Sequence, residues 1–228
     1  MIKLYLFDIE GTTTDIHFVH KVLFPYSYNN LEHYISLHQN LPAVMKAIEE
    51  VKKTVWDEEK KSLSLNEVIL KLREWIEKDR KHGSLKEIQG LIWDIGYSKG
   101  EFQGHLYSDV KPFFSKILAC NNQIGIYSSG SVHAQKLIFG FSNDGDLTPM
   151  ISYFFDTKIG GKRESSSYER IAIETKLNPR EIHFFSDIAD ELKAANDTGM
   201  KVTQLLREGT KPSDFEVIKS FKDLMSSF

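Results

Sequence analysis

Short, largely apolar runs punctuate the chain at Ile2–Phe7, Gln123–Tyr127, Tyr153–Phe155, Ile182–Phe185 and Lys201–Leu205. Their length and near-continuous hydrophobicity are those of strands buried on both faces. Helical stretches at Pro112–Ala119, Val132–Phe139, Ser166–Lys176 and Ala189–Thr198 alternate with them, the third stopped by Asn178-Pro179, and a further helix closes the chain. Such alternation predicts an α/β fold, a doubly wound parallel sheet with helices on both faces.

Residues 16–106 break the alternation. They carry helical periodicity and charge but no clear strand run. Ser64-Leu65-Asn66-Glu67 has capping-box spacing, and Leu65, Val68, Leu72, Trp75 and Ile76 then fall on one helical face. Gly83 is placed to end that helix, and Ser84-Leu85-Lys86-Glu87 offers a second capping box ahead of the stripe Leu85, Ile88, Ile92 and Ile95. The expected organisation is an α/β core from residues 1–15 and 107–228, with residues 16–106 inserted as a helical cap.

Composition narrows the class. Of 228 residues 41% are hydrophobic and 27% charged, ordinary for a soluble globular protein. A net charge of −3 gives no general attraction to nucleic acid or an anionic membrane, so an anionic substrate needs a local cationic site. Cys120 is the only cysteine, which excludes an intrachain disulfide and suits a reducing cytoplasm. The N-terminus runs straight into a strand-like segment without a signal-peptide layout, and no apolar run is long enough to span a bilayer. A cytoplasmic monomer is expected.

Parallel sheets present ligands at the carboxyl ends of their strands. Those ends carry Asp8 with Glu10, Ser128 with Ser129, and Asp187, and Lys162 precedes a helix. Together they meet the needs of phosphoryl transfer. A carboxylate such as Asp8 can attack phosphorus and split the hydrolysis into two steps. Asp8 and Asp187 offer hard oxygen ligands to Mg²⁺, Ser128 and Ser129 can donate to phosphoryl oxygens, and Lys162 adds positive charge. The alternatives at this point are a turn-forming or helix-capping role for each acid, and a solvated loop around Lys162.

The order acidic strand end, helical insert, Ser-Ser-Gly, lysine loop, acidic strand end resembles that of the haloacid dehalogenase-like phosphatases, over the whole chain. Phe7-Asp8-Ile9-Glu10-Gly11-Thr12 looks like their first motif, with Glu10 where most members have a second aspartate. Asp-Ile-Glu-Gly-Thr-Thr-Thr is the form found in the enolase-phosphatase branch of methionine salvage, the acireductone synthases. Leu23-Phe24-Pro25-Tyr26, Trp93-Asp94-Ile95-Gly96-Tyr97, Ser128-Ser129-Gly130-Ser131-Val132 and Phe155-Asp156-Thr157 are similar to that branch as well. Gly161 and Asp15 depart from it, where histidine and proline are common.

The resemblance implies a Rossmann-like core with a helical cap and one Mg²⁺ per subunit. It also implies conversion of 2,3-diketo-5-methylthiopentyl-1-phosphate to an acireductone by enolisation, then dephosphorylation. It makes Asp8 the nucleophile and a metal ligand, Glu10 a metal ligand through its carbonyl, Asp187 a metal ligand, and Ser128, Ser129 and Lys162 substrate contacts. Glu10, its carboxyl then free, is expected to serve as acid and base and to take the enolisation proton, with His17, His20 and His105 as rival bases. Two competing readings are a generic magnesium-dependent phosphatase without the enolase step and a phospho-accepting receiver domain; receivers are shorter and lack the insert.

Overall fold

The computed structural model describes residues 1–227. It resolves into two compact units, one formed by residues 1–18 with the chain from residue 103 onward, the other by residues 19–102. The first unit begins with strand β1 (Leu4–Phe7) and the single turn α1 (Ile16–Phe18).

The second unit is all helical. A π-helical segment (Val19–Leu23) leads into α2 (Phe24–His38), followed by α3 (Pro42–Glu59), α4 (Leu65–Glu77) and α5 (Gly83–Ser98). Their apolar stripes meet in one core that includes Leu31, Ile35, Val51, Leu72, Trp75 and Ile88. The expected capping box at Ser64 and Glu67 is formed reciprocally. The second expected cap is not. α4 ends at Lys78 rather than at Gly83, and α5 is capped by the His82 side chain, which accepts from Ser84 N. Ser84 instead lies inside α5, buried, and donates to Glu50 at 2.8 Å. A serine that finds a carboxylate on a neighbouring helix no longer needs the cap role.

The first unit resumes with α6 (Val110–Ala119), β2 (Gln123–Tyr127), α7 (Val132–Gly140), β3 (Tyr153–Phe155) and α8 (Ser165–Thr175). β4 (Ile182–Ser186), α9 (Ala189–Asn196), β5 (Lys201–Leu205) and the two-residue β6 (Val217–Ile218) complete it. α8 stops at Lys176, in left-handed geometry with φ 58°, before the proline is reached. The closing helix is 3₁₀ (Phe221–Ser227), and β6 before it was not expected from the sequence.

The sheet order is β3-β2-β1-β4-β5-β6, with every pairing parallel. Alternation along β1 divides the core. Leu4 and Leu6 join Tyr168, Ile171, Phe184 and Leu192 in one cluster. Tyr5 and Phe7 instead pack on Phe113 and Phe185, with Phe7 stacked on Phe185 at 5.0 Å between centroids. Both faces are therefore buried, as a doubly wound sheet requires. The strand order reverses at β1, which lies between β2 and β4. That is the switch point where such sheets open a crevice at their carboxyl ends. Among the described residues no helix is long and apolar enough to cross a membrane.

Candidate active site

β1 delivers Asp8 to this crevice. The backbone still pairs there, Asp8 N donating to Phe185 O at 2.9 Å. The chain then folds into a compact loop whose centre is the Ile9 carbonyl, which accepts from Thr12 N, Thr13 N and Thr14 N at 3.2, 2.9 and 2.9 Å. Thr13 Oγ1 adds a bond to Asp8 O at 3.1 Å, and all three threonines are buried. Gly11 makes the turn with φ +71°. A Cβ there would collide with the Asp187 carboxylate, its carbon 2.7 Å away, so glycine is required for both conformation and space.

Asp187 follows β4 directly. Its N–H donates to Thr12 Oγ1 at 3.1 Å and its carbonyl accepts from Gln204 Nε2 at 2.9 Å. The two acidic loops are thus bonded through Thr12. Lys162 enters from the loop before α8. It is 8% exposed, and its ammonium donates to Asp8 Oδ1 and, at 2.6 Å, to Glu191 Oε2. Lys162 O accepts from Tyr168 at 2.7 Å, and Ser186 Oγ donates to Glu191 at 2.9 Å. The solvated-loop alternative for Lys162 therefore does not hold. Burial opposes the charge on Lys162, but Asp8 and Glu191 outweigh it and raise its pKa.

Glu191 is a site residue that the sequence reading leaves out. It is buried against Lys162 in the first turn of α9, and its i, i+4 spacing from Asp187, just before that helix, was the available signal. Ser128, at the end of β2, is buried, and its hydroxyl accepts from Gly130 N at 3.1 Å. Gln135 fastens the same loop by donating to Gly130 O and Phe155 O at 2.9 and 2.8 Å. Ser129 is exposed and Glu10 half-buried. Among the rival bases, His105 is held by its Nδ1, which accepts Asp15 N–H at 3.0 Å. Its neutral form then carries the proton on Nε2, a donor rather than a base. His17 is exposed and paired with Asp15 at 3.1 Å, while His20 lies edge-on to Phe24.

The donor set fits a hard divalent cation. Asp187 Oδ1 is buried without a hydrogen-bond partner. Burial, then the charges of Asp8 and Glu191, push the Asp187 carboxyl up to about 7. An orphaned carboxylate oxygen crowded by like charge is what a dication relieves. Among the described residues no three His, Cys, Asp or Glu side chains converge as a cage.

The haloacid dehalogenase-like hydrolase family model matches residues 2–199. Enolase-phosphatase E1 of Aquifex aeolicus is 47% identical over 98% of this chain and 99% of its own length. The Marinobacter nauticus enolase-phosphatase E1 is 43% identical over 96% and 94%. The crystal structure of the UTR4 protein from Saccharomyces cerevisiae superposes with a TM-score of 0.82 at 30% identity, covering 97% of this chain and 99% of that one. With the Asp8 loop, Lys162 and the acidic end of β4 arranged on one sheet edge, the chain belongs to the haloacid dehalogenase-like hydrolases, and among them to the enolase-phosphatase E1 family.

Proposed function

We propose that this protein is a bifunctional enolase-phosphatase, an acireductone synthase. It converts 2,3-diketo-5-methylthiopentyl-1-phosphate to 1,2-dihydroxy-3-keto-5-methylthiopentene and phosphate in methionine salvage. The observation that carries the reading is the buried Asp8–Lys162–Glu191 cluster at the switch point, in a chain 47% identical to a curated enolase-phosphatase along its length. Mg²⁺, one per subunit, is assigned to Asp8, Asp187 and the Glu10 carbonyl. When bound it supplies positive charge to the phosphoryl oxygens and screens the nucleophile from them.

The protein's own groups do the rest. Glu10 removes and holds the proton from the carbon bearing the ester oxygen, and the neighbouring carbonyl oxygen takes a proton from solvent to give the enol phosphate. An oxygen of Asp8 then attacks phosphorus in line, forming the aspartyl-phosphate as the P–O ester bond breaks, while Glu10 returns a proton to the leaving oxygen. A water, deprotonated by Glu10, hydrolyses the aspartyl-phosphate and frees Asp8. Ser128 and Ser129 donate to phosphoryl oxygens, and Lys162 meets their developing charge. Residues 1–15 and 107–228 act as the catalytic core. Residues 16–106 act as a cap that excludes water and receives the methylthio tail. The protein works as a cytoplasmic monomer on a small phosphorylated diketone, with no nucleic-acid or membrane partner.

The test supplies the diketone phosphate with Mg²⁺ and follows enediol absorbance and phosphate release together. Both signals are expected. Phosphate release from simple esters, with no enediol from the diketone, would establish a generic phosphatase instead. The proton role of Glu10 is read separately, by solvent-deuterium exchange into substrate with Glu10→Gln; undiminished exchange removes it.

A further inference from the structure

The loop that carries Asp8 and Glu10 has a second anchor, remote in sequence. After β5, Arg207 turns its guanidinium into the unit. Nε and Nη2 both donate to the Thr12 carbonyl, at 3.3 and 3.2 Å, and Nη2 also donates to Asp109 Oδ1 at 2.9 Å. Its central carbon Cζ lies 4.1 Å from the Tyr107 ring centroid and 5.4 Å from that of Phe221. Asp109 is itself saturated, its Oδ2 accepting from Ser220 Oγ at 2.7 Å and Phe221 N at 2.8 Å. The Arg207 and Asp109 side chains are only 10% and 4% exposed.

Thr12 is the node this fork grips. Its N–H bonds Ile9 O in the nucleophile loop, its hydroxyl accepts the N–H of Asp187, and its carbonyl takes Arg207. Thr12 therefore joins the Asp8–Glu10 loop to the Asp187 loop, and its remaining acceptor is fixed from outside both. Tyr107, whose ring faces the guanidinium, donates its own N–H to Thr13 O at 3.0 Å, holding the adjacent residue. The ion pair with Asp109 fixes the guanidinium plane, and the planar fork fixes the carbonyl, which a lysine ammonium would not do.

We propose that Arg207 is a positioning residue for the divalent-metal site, acting through Thr12 to set Asp8 and Glu10 against Asp187. Partners that orient metal ligands from behind typically carry about 10–100-fold in metal affinity. The inference rests on the assignment of the metal to Asp8, Glu10 and Asp187.

The test is calorimetric titration of Mg²⁺ into the metal-free full-length protein, with no substrate, for the parent, Arg207→Met, Arg207→Lys and Ile171→Ala. Ile171 is buried in the same unit and has no polar side-chain atom to bond either loop, so its truncation controls for lost stability. Circular dichroism sets a temperature at which each variant is folded. The Mg²⁺ dissociation constant is expected to rise roughly 10–100-fold in Arg207→Met, by less in Arg207→Lys, and by under about twofold in Ile171→Ala. At saturating Mg²⁺ the substrate KM should hold while kcat falls. Parent-like Mg²⁺ affinity in both Arg207 variants overturns the inference, as does an equal loss in Ile171→Ala. If Arg207→Met does not fold, Arg207→Lys decides alone. A parent protein that takes up no Mg²⁺ removes the metal assignment itself, a different failure from unaltered binding in the variants.

Discussion

Replacing Gly11 by alanine separates the strain of a turn from damage to the site. The backbone there has φ +71°, and an L side chain in that region costs roughly 1–2 kcal/mol. The new methyl carbon would also sit 2.7 Å from the Asp187 carboxylate carbon. Ordinary carbon contacts begin near ~3.5 Å, so one partner must retreat by roughly 1 Å. The loop resists, since Gly11 N bonds Thr14 O at 2.8 Å and Thr12 bonds both Ile9 and Asp187. The Asp187 carboxylate is therefore the group that yields. A displacement of that size at a reacting centre lowers the rate by about 10²-fold. Gly145→Ala is the matched control, with φ +87° and nothing within 4 Å of its added Cβ. Urea denaturation and phosphate release at saturating Mg²⁺ are measured for both. Both variants should lose roughly 1–2 kcal/mol of stability, and only Gly11→Ala should lose rate. Parent-like phosphate release from Gly11→Ala, or equal rate losses in the two, would refute the reasoning.

Lys162→Met leaves Asp8 and Glu191 buried without their shared cation, and a broken buried pair costs about 3–5 kcal/mol. Denaturation should show that loss and Glu191→Gln should recover part of it, while phosphate release stays down by about 10²–10³-fold. A double variant no more stable than Lys162→Met would contradict the cluster's electrostatics. His183 is buried against Thr203 at 2.7 Å, and burial, then Lys201, holds its pKa well below 6.5. The unfolded chain takes up a proton below 6.5 that the folded one refuses, so stability should fall as pH drops through that value, by up to ~1.4 kcal/mol per pH unit. His183→Gln should flatten that slope, as followed by denaturation at stepped pH. Ser64→Ala removes a reciprocal capping box and should cost the helical unit about 1 kcal/mol by thermal denaturation.

The strand ends were legible because burial on both faces gives short apolar runs with an unmistakable stop. Gln123–Tyr127, Tyr153–Phe155 and Lys201–Leu205 occur at their expected bounds. So was the Ser64 cap, a purely local signal. What escaped depends on distant partners. Ser84 looks like a cap until Glu50 accepts its hydroxyl. Glu191 looks like surface charge until Lys162 closes on it. Arg207 and Asp109 are 98 residues apart, and no spacing rule joins them. The 3₁₀ ending failed for a similar reason, because Phe221 is fixed by Asp109 and aromatic packing rather than by helical periodicity.

The central claim is that Asp8 forms a covalent bond to phosphorus. Acid quench within the first turnover, followed by peptide mass spectrometry, tests it directly. The account predicts a phosphoryl group on the peptide containing Asp8, and its absence, together with phosphate release, in Asp8→Asn. Phosphate released by the parent with no phosphoryl on that peptide, and undiminished release by Asp8→Asn, would contradict it.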